Sequence, residues 1–347
     1  MAKVNISDLD KLQSELSRQG RIFFKTSYGV GELEEVTKLS KMYMEFEQQV
    51  ASVDKGILNE VVVKLSDVAE DTRSDLGYRG KLFSILSSEF SRLVSLGVVS
   101  FIVHGSFATD DWIVGWSDLD AMVVLSKDVC RDAKALVVLK RKIHNLARIC
   151  YLFDPLAHHE FFIISELELG YYPETYLPIA SWREARALAG RSEFSLNIRN
   201  DQTERTEALR KFYDFFEARL RMGGHVNNID LKDDLSHILL LPAIILQNRN
   251  FNLYKRESFS KIKEVFPSYN FSFLDHTSNL RFSWRTDNML KYLPGWVAVS
   301  LPNTIWRITL KLGRTMAQVR PAVEISNNRW RECINSAIDF IDASKER

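Results

Sequence analysis

Residues 101–125 read FIVHGSFATDDWIVGWSDLDAMVVL, and two features in them suit phosphoryl chemistry. Gly105-Ser106 ends one apolar run, and Asp118-Leu119-Asp120, preceded by Ser117, opens another. Side chains alternate along a strand, so Asp118 and Asp120 share a face about 7 Å apart, with Leu119 turned away. Two carboxylates that close repel each other. They suit a hard divalent cation, since Mg²⁺ is commonly held by one or two carboxylates plus substrate phosphates. Glycine lets the backbone approach a phosphate closely, and the Ser106 hydroxyl adds a donor. Donors for a triphosphate, set beside carboxylates that hold metal, are the parts a phosphoryl-transfer site needs.

The surrounding elements must deliver these groups. Residues 99–104 read as a buried strand ending in a tight turn, and residues 119–125 as a second strand. Residues 128–151 read as a helix and residues 158–165 as a third strand, an order that indicates an α/β core. Upstream, residues 78–96 form an amphipathic helix ended by Gly97. Leu9, Leu12 and Leu16 recur at helical spacing, and residues 57–68 are read as helix. The glycines in residues 23–31 mark a loop or short hairpin. After Ser165 the reading is helical: 203–222, 230–247 with Pro242 as a kink, 257–266, 302–319 and 321–344. The expected fold class is α+β: a small mixed sheet with a helical N-terminal extension (1–97), a core (98–200) and a C-terminal helical domain (201–347).

The chain has 347 residues, enough for two modest domains, and a formal net charge of +1. That balance gives no hint of nonspecific nucleic-acid binding. Cys130, Cys150 and Cys333 match no zinc or disulfide spacing and fit a reducing compartment. No apolar run reaches the ~18–20 residues that span a bilayer, and residues 1–10 do not read as a secretory signal. The expected location is the cytoplasm, with no membrane partner.

The constellation resembles the polymerase-beta-like nucleotidyltransferase superfamily. Its signature is Gly then Gly or Ser, a spacer, and two carboxylates separated by one apolar residue, here Gly105, Ser106, Asp118 and Asp120. Ser117, Gly115 and the apolar run after Asp120 also match common members. The resemblance implies an enzyme that uses Mg²⁺ or Mn²⁺ and an NTP. Asp118 and Asp120 would be metal ligands, and Gly105, Ser106 and Ser117 would contact the nucleotide.

Members usually carry a third acidic residue on a neighbouring strand. Glu160, an acid at the start of an otherwise apolar strand, is the first choice as ligand or base. Asp154 is the rival, although before Pro155 it also reads as a turn residue. His158 and His159 point to opposite faces of a strand, so at most one lines the site, and His158 shares the face of Glu160. His104 is either core or a supporting residue.

In the helical half, residues 242–266 resemble a segment of bacterial aminoglycoside-type and related transferases in which a lysine at a helix start contacts the triphosphate. Lys255 is the matching position, and a cation at a helix N-terminus attracts phosphate. The expected reaction moves an NMP from an NTP to a hydroxyl acceptor and releases pyrophosphate. The acceptor stays open: a small molecule, an RNA end, a protein or a second nucleotide. The N-terminal helices are a candidate surface for a protein partner. The alternative is a non-catalytic regulator or antitoxin-type protein on the same fold.

Overall fold

The computed structural model describes residues 6–25, 32–54, 56, 58–67, 77–157, 159–199, 202–224 and 227–345. Helices α1 (Ile6–Lys25) and α2 (Glu32–Val50) precede strands β1 (Leu58–Lys64) and β2 (Ser66–Asp67). Helix α3 (Tyr78–Val94) leads to β3 (Val98–Val103), a 3-10 turn at Gly105–Phe107, and β4 (Ala121–Leu125). Helices α4 (Lys127–Arg131) and α5 (Ala133–Phe153) return the chain to β5 (Phe162–Ser165). Then come α6 (Glu166–Leu169), β6 (Tyr172–Pro173), α7 (Ile179–Glu184), β7 (Arg186–Gly190) and β8 (Glu193–Arg199). The rest is helical: α8 (Gln202–Met222), α9 (Asn228–Asn248), α10 (Lys255–Val265), α11 (Ser272–Ser283), α12 (Gly295–Ser300), α13 (Asn303–Gln318) and α14 (Asn327–Lys345).

The fold is α+β, as expected. A five-stranded mixed sheet has the order β2-β7-β3-β4-β5, and a smaller one the order β1-β8-β6. In the larger sheet β3 runs antiparallel to β4 and β7, and β4 runs parallel to β5. Both faces are covered, which is why β4 reads as an unbroken apolar run and β3 as one broken only by Ser100, whose hydroxyl donates to the Ala189 carbonyl. Phe101, Val103, Ala121 and Val123 pack in one core with the first helices and with α3 and α5. Within it the rings of Phe90 and Phe101 stack at 3.9 Å. Ile102, Met122, Val124 and Ile164 face a second core shared with Phe194, Leu196 and Ile198 of β8. A third core fills the C-terminal helices, and it takes in Trp116 and Leu156 from the α+β part.

Several readings change. Residues 58–64 and 66–67 are strand, not helix, and residues 57 and 68 of that reading lie outside the described residues. Residues 166–199 hold three strands where a helical stretch was expected. In β8 Phe194, Leu196 and Ile198 are buried while Ser195 is exposed, the period-two pattern of a half-covered strand. Residues 128–151 are two helices, because Asp132 starts a new one by accepting from Lys134 N and Ala135 N. Gly97 does end the stretch after α3, with φ of 103°.

Candidate active site

The site is built where β3 ends and β4 begins. The sheet ladder continues past both strands, with His104 N donating to the Asp120 carbonyl at 3.0 Å. Gly105 then takes φ of 68° and opens the 3-10 turn. A Cβ at Gly105 would collide with Asp120 Oδ2, so the turn and the carboxylate lie against each other. Phe107 anchors the turn in the first core, edge-on to Phe83 and Phe153. Trp116 anchors the far end of the same loop in the helical core, edge-on to Trp284 at 5.1 Å. The loop is thereby pinned at both ends, and the acidic pair sits at the seam between the two cores.

Smaller contacts hold the loop between these anchors. Thr109 Oγ1 is within 3.2 Å of the Gly105 carbonyl and of Tyr254 Oη. Ser117 is buried and exchanges bonds with Ile113, accepting at Oγ and donating from N. That contact closes the turn before Asp118. The Ser106 hydroxyl has no hydrogen bond among the described residues, and the side chain is half-buried at the loop surface.

Asp118, Asp120 and His159 each offer a ligand atom, and these atoms lie within 4.8 Å of one another. His159 Nε2 is 2.8 Å from Asp120 Oδ1 and 3.7 Å from Asp118 Oδ2. Burial opposes charge on His159, but the hydrogen bond and charge of Asp120, then Asp118, lift its pKa to about 9. Burial likewise opposes charge on Asp120, and His159, His104 and Lys232 outweigh it, bringing the carboxyl down to about 2. His104 is held below its ordinary value, chiefly by burial. The donor set fits a divalent cation: two hard carboxylates and an imidazole that share one small volume.

Lys232 of α9 enters from the helical half. It is 4% exposed, pairs with the fully buried Asp154, and lies 3.9 Å from Asp118 Oδ2. Charge from Asp118 and Asp154 outweighs burial and raises its pKa. Lys255 is the first residue of α10. Burial and the neighbouring Arg281 lower its pKa to about 8, while Asp120, Asp111 and Asp118 pull the other way.

The structure thus brings together Gly105, Asp118 and Asp120, with Lys255 in their electrostatic reach. It does not bring Glu160 into the ligand group. The Glu160 carboxylate accepts from Tyr151 Oη at 3.1 Å, and burial raises its pKa. The strand begins only at Phe162, so the alternation that set Glu160 against His159 does not extend back to them. His159 turns to the aspartates instead. His158 lies outside the described residues. Asp154 does make the expected turn contact, accepting from Leu156 N at 3.0 Å. Lys232 was not anticipated, and its signal is a lysine within the apolar stripe Leu231, Leu235 and Leu239 of a helix.

A mixed sheet that presents a Gly-Ser turn against paired aspartates is consistent with a nucleotidyltransferase domain of the polymerase-beta-like type. Residues 83–177 match the family model described as "Nucleotidyltransferase domain". The match spans β3, β4 and β5 and leaves α1, α2 and the C-terminal helices outside it. Among curated proteins, none matches this chain. No helix among the described residues is long and apolar enough to cross a membrane.

Proposed function

We propose that the protein transfers an NMP from an NTP to a hydroxyl acceptor. The observation that carries this reading is the contact of the Gly105 turn with Asp120, inside a group of three ligand atoms. The Gly105-Ser106 turn and Lys255 bind the triphosphate, with the free Ser106 hydroxyl as a donor. Asp118 and Asp120 hold the metal, and His159 becomes a third donor once the cation displaces its proton. A bound Mg²⁺ or Mn²⁺ supplies charge neutralisation of the phosphates and acidifies the acceptor. The acceptor oxygen forms a bond to the α-phosphorus as the bond to the bridging oxygen breaks, pyrophosphate leaves, and the hydroxyl proton goes to water. Lys232 orients Asp118 from behind. Three regions, 1–97, 98–200 and 201–347, divide this work among sheltering the site, carrying it and binding phosphate.

The reading as an idle partner protein has less support. The apolar residues of α1 and α2, among them Leu9, Leu16, Val36 and Phe46, pack into the chain's own core, which leaves less apolar surface for docking.

The test incubates the protein with each α-labelled NTP, Mg²⁺ or Mn²⁺ and a cell extract, beside an Asp118→Ala/Asp120→Ala variant. Label entering a product only with the intact protein supports transfer. No labelling and no NTP binding by the intact protein would return the partner reading to first place.

A further inference from the structure

Helix α1 lies outside the matched domain and roofs a cavity that reaches Asp120. The cavity has a volume of about 260 Å³. Its inner end is formed by His104, Asp120 and His159, and its outer end by Arg21 and Lys25 of α1. Between them the walls are mostly apolar, with Phe24 from α1, Ile143 from α5 and Phe161 beside β5. Gly105, Ser106 and Lys255, assigned above to the triphosphate, do not line it. Asp120 therefore lies between the Gly105 turn and this cavity.

The lining selects a ligand. A cavity of this volume suits a small molecule and not a folded chain. Apolar walls disfavour a polyol or a polycation, whose polar groups would lose water without replacement. The ends differ in charge. Arg21 and Lys25 are exposed cations at the outer end, while at the inner end the Asp120 carboxylate is paired with His159. The other acid in the lining, Glu160, accepts from Tyr151 and lies within electrostatic reach of Lys25, which leaves Arg21 the cation less opposed. A ligand with an anionic group outward and a hydroxyl inward matches this polarity.

We propose that this cavity is the acceptor subsite, and that the acceptor is a small hydroxylated carboxylic acid with an apolar body. The proposal rests on the transferase reading for the word acceptor, but binding in the cavity is measurable without catalysis. Its hydroxyl would meet Asp120 from the side opposite the triphosphate turn.

The experiment uses 1-anilinonaphthalene-8-sulfonate, a fluorescent apolar anion, on the full chain, with 3-(4-hydroxyphenyl)propionate and 8-hydroxyoctanoate as competitors. Saturable fluorescence is expected. It should weaken at least ~5-fold in Arg21→Glu/Lys25→Glu, where only exposed charges change, and be lost in Ala147→Trp, which fills the cavity. The hydroxy acids should displace the dye and, with NTP and Mn²⁺, take up α-label. Equal dye binding in parent and both variants would place the dye elsewhere, such as the exposed apolar residues of α13, and overturn the proposal. Displacement by an aminoglycoside or an oligoribonucleotide, but not by the hydroxy acids, would overturn the ligand class. Hydroxy acids that bind in the cavity but are labelled from no NTP, while the extract assay does yield a labelled product, would overturn the cavity's role as acceptor subsite; no labelling in either assay and no NTP binding would sink the transferase reading instead.

Discussion

Gly105 and Asp120 meet so closely that a Cβ on the glycine would lie 3.1 Å from the aspartate Cγ and closer still to Oδ2. The same residue holds φ of 68°, which an L side chain adopts only at a cost of about 1–3 kcal/mol. Gly105→Ala should therefore displace the Asp120 carboxylate. Nucleotide transfer should fall by about 10²-fold or more, with a modest drop in the urea midpoint. Wild-type transfer by the alanine variant would show that the close approach has no functional weight.

The ligand group predicts metal dependence. Chelation should abolish transfer, and added Mg²⁺ or Mn²⁺ should restore it. Asp118→Asn should lower transfer by about 10³-fold at saturating metal, since one ligand charge is lost from the seat. Full activity in excess chelator would remove the metal from the mechanism.

Lys232 and Asp154 form a buried pair. Lys232→Met leaves Asp154 without its partner, so unfolding by urea should show a loss of about 3–5 kcal/mol. The double variant Lys232→Met/Asp154→Leu should recover most of that stability, because neither charge remains. It should not recover transfer, since Asp118 would still lack its neighbour. Additive losses in the double variant would mean the two residues act separately.

Lys255 gives a pH signature. Its pKa of about 8 in the free protein lies well below that of an ordinary lysine. A bound triphosphate favours the ammonium, so NTP affinity should fall by roughly tenfold per pH unit above about 8. Lys255→Arg should bind with a flatter profile, and Lys255→Ala should bind weakly at every pH. Calorimetric titration at pH 7, 8 and 9 reads this directly. A steep wild-type slope that survives in Lys255→Arg would assign it to another group.

Glu168 links pH to stability. Burial, partly offset by bonds from Ser165 N and Oγ, raises its carboxyl to about 7. The folded state then holds a proton that the unfolded chain has released above its ordinary value of 4.5. The contribution of this group is fully favourable below about pH 4.5 and is lost as pH rises through about 7, up to roughly 3 kcal/mol. Glu168→Gln should remove that slope, so its stability relative to wild type should improve between pH 4.5 and 7. Parallel curves for the two proteins would refute the assignment.

The heart of the site was legible in the sequence. Gly105, Asp118 and Asp120 combine residue types that few structural needs explain, and they stand at the ends of apolar runs. What was not legible depended on where elements start and on long-range partners. Glu160 reads as the third ligand because it is an acid at the head of an apolar run, but the strand begins only at Phe162 and the Glu160 carboxylate accepts from Tyr151. The loop before that strand presents His159 instead. Strand β1 was read as helix because Val61, Val62 and Val63 give no clean period, and its pairing with β8 lies far along the chain. Lys232 is separated from Asp118 by more than a hundred residues, and only the tertiary fold shows that it neutralises that carboxylate's surroundings.

The core behind the aspartates also contains Leu290, Ala298 and Trp306, from the far end of the chain. Arg148 on α5 donates to the carbonyls of Ala298 and Leu301. During synthesis from the N-terminus, the sheet that carries Asp120 is made long before these residues leave the ribosome. Its final packing therefore waits for them. A nascent chain stalled near residue 280 should hold a loosened, protease-sensitive nucleotidyltransferase core, and one extended past Trp306 with room to clear the exit tunnel should become resistant.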